Sequence, residues 1–242
     1  YGEDDPAVSK RAVESLLTAS EAAFSRADLE AARALVDRAL EFADDDARPM
    51  AQLALTRLEY TEGRFESVLK ELEVIEAQLE PDDAELRSDV LAWRSRACWL
   101  TGRWDESLSS ANAAVTALDD LPESAQLARA LARLSQVEML KHQVEAIAHA
   151  QEAIAVARRV DDSFAEVNAR INLMTEQAAR GSAPDPDELI EIVDRAVDAG
   201  VYDEAYRAIV NLSWMAPGYR PLDRVERAVV EAERRAAVTP PA

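Results

Sequence analysis

The most reactive side chains in this sequence are one cysteine, Cys98, and two histidines, His142 and His149. A cysteine nucleophile needs a nearby base and an electropositive setting, whereas Cys98 stands between an alanine and a tryptophan in a helical stretch. We therefore expect Cys98 to pack as a small hydrophobic side chain. Because the histidines lack the His-Glu-x-x-His spacing of a zinc-binding helix, we expect both on the surface, with a metal or acid–base role as the alternative.

Other catalytic patterns are missing from the sequence. It contains no Gly-x-x-x-x-Gly-Lys-Ser/Thr loop that would cradle a phosphate. Carboxylates are so numerous that no pair stands out as an acid–base couple. Runs such as Asp44-Asp45-Asp46 could be metal ligands, but helix capping and solvated loops explain aspartate at these positions. Ser109 and Ser110 have the setting of ordinary helix-surface residues. The sequence therefore predicts a protein that is not an enzyme and that holds no metal or cofactor.

The charge of the chain excludes whole classes of binding partner. Its 242 residues include 47 Asp and Glu against 27 Lys and Arg, which gives a net charge of −20. Such a chain repels nucleic acids and acidic membrane surfaces, and no apolar run reaches the length of a membrane-spanning helix. With a single cysteine and no visible signal peptide, we expect a cytoplasmic location. The acidic surface either maintains solubility or docks a basic partner.

A short signature recurs along the chain and sets its organisation: a small or polar residue, one further residue, an apolar residue, and then an acidic helix start. Its copies begin 36–40 residues apart, at Ala27, Gly63, Gly102, His142, Gly181 and Gly218. Apolar residues fall at helical spacing before and after each copy. Glycine ends a helix at little cost in the left-handed conformation, and acidic residues favour the start of the next helix. Each period is therefore a helix–turn–helix unit.

This organisation predicts an all-α fold, an α-solenoid of about six antiparallel helix pairs. We expect helices over 6–25, 28–43, 47–62, 65–79, 83–101, 104–119, 123–141, 144–160, 163–180, 185–199, 203–216 and 222–237. They form one domain over 1–242, with units at 6–43, 47–79, 83–119, 123–160, 163–199 and 203–237. Close approach of the helices should depend on buried small residues, such as Ala32, Ala97, Ala114 and Ala150.

The two clearest turns carry a family resemblance. Gly63-Arg64-Phe65, and Gly102-Arg103-Trp104 followed by Asp105-Glu106 and later by Ala111 and Ala114, resemble the tetratricopeptide repeat (TPR). That family places glycine and then an aromatic residue at the turn between its two helices, although its usual repeat is shorter. The resemblance implies a right-handed superhelix with a concave inner groove.

The C-terminal half shows a second resemblance, to a narrower family, which covers about a third of the chain. Residues 146–162 and 198–214 are similar to the sensor arrays of bacterial LuxR-type large ATP-binding transcription regulators. In that family an ATPase module precedes the array and a helix-turn-helix module follows it. Neither module lies in these 242 residues, so the family's ATP and DNA contacts have no positions here. We expect this chain to be an excerpt of a longer protein.

The first helix of each unit lines the inner wall of a stack of helix pairs, so residues at equivalent positions form rows along that wall. Counting six and three residues back from the central turns identifies the candidate groove residues Arg57, Tyr60, Arg96, Trp99, Gln136 and Met139. Arginine beside aromatic side chains is typical of an interface anchor. Alternatively, the aromatic residues seal neighbouring helices, and the arginines pair with acids such as Glu59 or Asp89.

Three asparagines, Asn168, Asn172 and Asn211, interrupt otherwise apolar helices near the C-terminus. Because asparagine is a poor helix former, we expect these side chains to hold a turn or loop of a neighbouring helix. Contact with a polar ligand is the alternative.

These observations favour a non-catalytic protein-interaction or sensor scaffold, the TPR-like region of a bacterial signalling or transcription regulator. We expect a protein or peptide partner, no direct contact with nucleic acid, and no membrane. The alternatives are a receptor that holds a small-molecule or peptide effector in its groove, and a free-standing TPR adaptor. The sequence does not fix the oligomeric state.

Overall fold

The computed structural model describes residues 6–24, 28–182, 186–198, 206–208 and 210–211, and every regular element within them is an α-helix. Over residues 6–198 the helices are α1 (Pro6–Phe24), α2 (Leu29–Phe42), α3 (Arg48–Thr61), α4 (Phe65–Glu76), α5 (Ala84–Leu100), α6 (Trp104–Thr116), α7 (Ala125–Leu140), α8 (Ala146–Val160), α9 (Ser163–Ala179) and α10 (Pro186–Asp198). The predicted all-α fold of paired helices is therefore confirmed. Residues 206–208 and 210–211 are also helical, whereas the other residues of the last predicted unit, 203–237, lie outside the described residues.

The turns within the helix pairs use the left-handed backbone that the signature predicts. Gly63, Gly102 and Gly181 have φ angles of 81°, 76° and 89°. A Cβ atom added at any of them would meet nothing within 4 Å, so glycine is favoured there by conformation and not by space. His142 occupies the corresponding turn with a φ of 55°, and the copy around Gly218 lies outside the described residues.

By its internal contacts the chain divides into two compact units, Tyr1–Ala117 (unit 1) and Leu118–Ala242 (unit 2). Unit 1 contains the antiparallel pairs α1–α2, α3–α4 and α5–α6, and α7 to α10 belong to unit 2. The single domain predicted over 1–242 stays a prediction.

Apolar packing on α4 holds unit 1 together. Leu72 and Ile75 of α4 are fully buried against Leu53 of α3 and Val90 of α5. Serine hydroxyls add ties within pairs: Ser88 Oγ donates to the Ala114 carbonyl at 2.8 Å. Small residues allow the close approach, because the predicted Ala32, Ala97 and Ala114 are all buried. Ser110 was expected on the surface, but that prediction is wrong because the residue lies on the buried face of α6.

Unit 2 is organised around α9, which is buried along most of its length. Its apolar residues, Val167, Ile171 and Met174, pack against Ile192 and Val193 of α10. On the other side α9 contacts α7 and α8, and the predicted small residue Ala150 of α8 is fully buried. Within the part of the chain that the structure describes, no helix is both long enough and apolar enough to cross a membrane.

Candidate functional site

The indole ring of Trp93 on α5 is the centre of an arginine and aromatic cluster in unit 1. The Cζ atoms of Arg57 and Arg96 each lie 5.3 Å from the centroid of this ring, within the range of cation–π attraction. The Tyr60 ring meets Trp93 edge-to-face, with centroids 5.2 Å apart and an angle of 71° between the planes. We refer to Arg57, Tyr60, Trp93 and Arg96 as the Trp93 cluster.

Helical spacing explains how these side chains come together. Arg57 and Tyr60 are one turn apart on α3, and Trp93 and Arg96 are one turn apart on α5. Residues at such spacing share a face of the helix, and α3 and α5 are neighbouring first helices of their pairs. The structure therefore brings three of the predicted groove residues together around a fourth residue, Trp93, that the sequence analysis did not select.

The apolar core of unit 1 fixes the aromatic part of the cluster. Tyr60 also contacts Phe65, the first residue of α4, with centroids 5.2 Å apart. Both Tyr60 and Trp93 are partly buried against the cluster that includes Val68 and Leu69. These rings thus seal the junction of α3, α4 and α5, as the alternative interpretation expected, while part of each ring remains accessible.

The two arginines of the cluster differ in their partners. Arg57 Nη2 forms an ion pair with Glu21 Oε2 of α1 at 2.9 Å, while Glu59 pairs with Arg64 instead, at 3.1 Å. Arg57 Nε is buried and has no hydrogen-bond acceptor among the described residues. Arg96 is half-buried and stacks on Trp93, and within the described part of the chain it makes no hydrogen bond or ion pair. Its guanidinium donors are therefore available to a carboxylate.

The remaining predicted groove residues lie outside this cluster. Trp99 packs against Trp104, with centroids 6.2 Å apart and planes tilted by 36°. Gln136, in unit 2, accepts a hydrogen bond from Arg133 Nη1 at 2.9 Å. Met139 has only 7% of its surface exposed and belongs to the core of unit 2, so it offers little area to a partner.

The reactive residues of the sequence have structural partners. Cys98 is fully buried, and burial raises the pKa of its thiol, as expected for a small hydrophobic residue. The expectation of a surface position is wrong for His149, which is half-buried and whose Nδ1 lies 2.7 Å from Glu138 Oε2. The Glu138 carboxyl is only 4% exposed; burial raises its pKa and the bond to His149 opposes that rise. Among the described residues, no three His, Cys, Asp or Glu side chains converge on a possible metal position.

The asparagines of unit 2 tie helices together, as predicted. Asn172 Nδ2 donates to the Ala132 carbonyl of α7 at 2.9 Å and to Ser135 Oγ at the same distance. Its Oδ1 accepts a 2.7 Å hydrogen bond from Arg207, and Asn211 Nδ2 donates to Thr175 at 3.0 Å. Each of these residues is occupied by structural contacts.

A small polar cleft lies where α8 ends and α9 begins in unit 2, and most of its charges are paired. Glu166 accepts hydrogen bonds from Arg158 Nε at 3.0 Å and from Arg195 Nη2 at 2.8 Å. Asp162 caps α9 through the Ala165 amide and also pairs with Arg129. The cleft therefore consists of internal ion pairs.

Comparison with solved structures shows the same arrangement of helix pairs at low sequence identity. BtubC (BKLC) from P. vanneervenii superposes with a TM-score of 0.54 at 17% identity, over 95% of this chain and 93% of that chain. PilF of Pseudomonas aeruginosa gives 0.50 at 17% identity, over 96% and 99%. A signal-transduction ATPase (STAND) protein with a tetratricopeptide-repeat sensor from Pyrococcus horikoshii gives 0.61 at 16% identity, over 97% of this chain but only 38% of its own length.

The fold is a TPR-like helical array. No protein-family model and no curated protein sequence matches the chain. Similarity at these identities shows the fold alone, so the site must be argued from its own residues.

Trp93 is the site residue that the sequence analysis missed, although a signal for it exists. It lies nine residues before the turn glycine Gly102, one helical turn before Arg96. Counting back from the turn by nine, in addition to six and three, would have reached it. Every third or fourth residue of a helix lies on the same face. The count back from the turn therefore had to include one more helical turn to reach Trp93.

Proposed function

We propose that this chain is a non-catalytic protein-interaction scaffold that binds a protein or peptide segment at the Trp93 cluster of unit 1. The observation that carries the proposal is the half-buried Arg96, stacked on Trp93 with no ion-pair partner among the described residues. Arginine and tryptophan dominate the binding energy of protein interfaces because they combine a large buried area with directional donors. In the proposed site, Arg96 binds a carboxylate of the partner and Trp93 covers an apolar side chain next to it.

The second arginine supports the same assignment. Arg57 stacks on the other accessible part of the cluster and is held by Glu21 from the neighbouring first helix. This ion pair is partly exposed, so its own contribution to stability is small. Its effect is to fix the Arg57 guanidinium beside Trp93, which lowers the entropy cost of ordering the site when a partner binds.

The net charge shapes the expected kinetics. A partner that presents a carboxylate to Arg96 approaches a chain of net charge −20, so long-range attraction does not assist the encounter. Affinity then depends on short-range fit, and association is expected to be slower than for electrostatically steered complexes.

The test uses peptides selected for binding from a displayed library and titrated into purified protein by calorimetry. Trp93→Ala and Arg96→Ala should each reduce the binding free energy of the selected peptide by about 2 kcal/mol, which is roughly a thirtyfold increase in Kd. The circular dichroism spectrum of each variant should keep its helical signal. Arg38→Ala is the matched control, because Arg38 also lies over an aromatic ring, that of Phe42 at 5.9 Å, but on the second helix α2. It should leave the Kd unchanged.

Two results would refute the proposal. One is a selected peptide that binds the Trp93→Ala and Arg96→Ala proteins as tightly as the parent. The other is a loss of binding in Arg38→Ala that equals the loss in Arg96→Ala, since the contact would then lie on the second helices.

We further propose that the scaffold is the sensor array of a bacterial cytoplasmic signalling or transcription regulator. The support is the resemblance of residues 146–162 and 198–214 to LuxR-type arrays, together with the structural similarity to part of a STAND protein that has a tetratricopeptide-repeat sensor. The open reading frame of the parent gene tests this directly. An ATPase module encoded before the array and a DNA-binding module after it would support the proposal, and a parent gene that encodes neither would refute it.

A further inference from the structure

Unit 1 carries a second accessible aromatic surface, at the turn between α5 and α6. Trp104 is 58% exposed and Leu100 is 51% exposed, and the half-buried Trp99 lies behind Trp104 with ring centroids 6.2 Å apart. We refer to Trp99, Leu100 and Trp104 as the Trp104 patch. A tryptophan exposed to this degree on a soluble domain is a common sign of a binding surface.

An aromatic residue at this position of the repeat need not be exposed. Phe65 follows Gly63 by two residues just as Trp104 follows Gly102, and each is the first residue of its helix. Phe65 nevertheless packs against Tyr60 and is half-buried. The same position can therefore be covered, and Trp104 is the larger of the two side chains and the more exposed.

The charges around the Trp104 patch are predominantly negative. Arg103, the single cation of this turn, is neutralised by Glu66 at 2.8 Å. Asp105 and Glu106 are exposed in the first turn of α6, and Glu106 makes no hydrogen bond or ion pair with any described residue. Since Arg103 and Glu66 compensate each other, the Glu106 carboxylate remains beside the patch. The helix dipole accounts for acidic residues in a first turn, but it does not account for an exposed tryptophan beside them.

We propose that the Trp104 patch binds a basic protein segment, in which a lysine or arginine stacks on Trp104 and a neighbouring apolar side chain contacts Leu100. Tryptophan has the strongest cation–π attraction of the aromatic side chains, and the Glu106 carboxylate pairs with the same cation. The charge of −20 attracts such a segment from a distance, so association is fast and sensitive to salt. This preference is opposite to that of the Trp93 cluster, and the inference does not depend on the proposed function.

The probe is a synthetic amphipathic peptide of leucine and arginine, with a leucine and glutamate peptide of the same pattern as its counterpart. Titration calorimetry at low ionic strength should detect binding of the arginine peptide, whereas any binding of the glutamate peptide should take place at the Trp93 cluster and be weakened by Arg96→Ala. Trp104→Ala should raise the Kd of the arginine peptide about tenfold, and Trp104→Phe should raise it less. Glu106→Gln should raise this Kd about threefold. Raising the salt to about 0.5 M should weaken the parent complex strongly.

Val144→Ala is the matched control, because Val144 follows His142 by two residues in unit 2 and is 64% exposed. It should bind the arginine peptide like the parent. Trp93→Ala and Arg96→Ala should also leave this binding unchanged, which separates the present inference from the proposed function. Circular dichroism of each variant confirms folding, and Glu106→Gln tests the patch even if Trp104→Ala fails to fold.

Several outcomes would overturn the inference. Equal binding by the parent, Trp104→Ala and Glu106→Gln would place the peptide elsewhere. If Trp104→Ala weakens binding of the glutamate peptide as much as binding of the arginine peptide, the Trp104 patch has no charge preference. A parent protein that sediments as a dimer, with a Trp104→Ala variant that sediments as a monomer, would assign the patch to a second copy of this chain.

Discussion

The two units of this chain share one helix-pair plan but hold their helices together differently. In unit 1 the buried polar residues that the structure describes are serines and threonines, such as Ser88 and Ser95, and the charged residues pair nearer the surface. In unit 2 the helix α9 alone buries Glu166, Arg170 and Asn172. The buried polar groups of unit 1 are thus hydroxyl groups, whereas those of α9 in unit 2 include charged and amide groups that form networks.

The residue nine positions before each turn shows what this difference means. It is Ala54 before Gly63, Trp93 before Gly102, Arg133 before His142 and Asn172 before Gly181. Trp93 is half-buried and stacked with two arginines, whereas Arg133 and Asn172 are buried and engaged in bonds within unit 2. At Trp93 this position presents an aromatic surface in unit 1, whereas at Arg133 and Asn172 it serves internal bonding in unit 2, which is why we place partner binding at Trp93 in unit 1.

The largest expected effect on stability comes from the apolar core of unit 1. Leu72 is fully buried between α3 and α5, so Leu72→Ala should cost about 2–5 kcal/mol through lost burial and the cavity that remains. Urea denaturation measures the total cost, and hydrogen exchange should show faster exchange in α4. A cost below about 1 kcal/mol would contradict the core that we describe.

The polar network of unit 2 should respond to the loss of one amide. Asn172→Ala leaves the Ala132 carbonyl and the Arg207 guanidinium each without one buried partner, at a cost of about 1–3 kcal/mol. Hydrogen exchange should rise in α7 and α9. If exchange in these helices is unchanged, the network does not hold unit 2 together.

Small-residue packing is common to both units and should make them equally sensitive to added volume. Ala114 of α6 and Ala150 of α8 are both buried. Ala114→Leu and Ala150→Leu should each cost about 1–3 kcal/mol by overpacking, measured as a lower urea midpoint. An unchanged midpoint for either variant would mean that its helix faces a looser interface than the structure indicates.

The smallest expected effect is a pH dependence of stability that arises in unit 2. Burial raises the pKa of the Glu138 carboxyl in unit 2, so folding favours its protonated form. The corresponding stability is present below the ordinary pKa of glutamate and is lost as the pH rises through the raised value. Relative to Glu138→Gln, the parent should therefore lose stability as the pH rises from the ordinary pKa of glutamate through the raised pKa of Glu138. Urea denaturation at a series of pH values measures this difference. A difference that stays constant or grows in favour of the parent would be inconsistent with the raised pKa.

The helices and turns could be predicted from the sequence because both signals are local. Left-handed glycine at Gly63 and Gly102 ends one helix, and the acidic residues after it begin the next. Because the pattern recurs in every unit, a wrongly predicted helix end at one turn does not change the prediction at the other turns.

The faces of the helices were harder to predict. Serine occurs on both buried and exposed sides of α6, and alanine does so in α8, so no clear apolar stripe shows that Ser110 or His149 turns inward. The buried charges of α9 are also hidden from sequence reasoning, because charged residues are normally exposed unless a partner from another helix compensates them. The position of Trp93, nine residues before Gly102, could be found from the repeat, but its contact with Arg57 on α3 is not visible in the sequence.

The most direct test of the difference between the units compares Arg96→Ala with Gln136→Ala, since both residues lie six positions before their turns. The measurement is the Kd of a peptide selected on the parent protein, determined by calorimetry for the parent and both variants. If the Trp93 cluster is the binding surface, Arg96→Ala should raise the Kd roughly thirtyfold and Gln136→Ala should leave it within about twofold. A large increase for Gln136→Ala with none for Arg96→Ala would contradict the assignment of binding to unit 1.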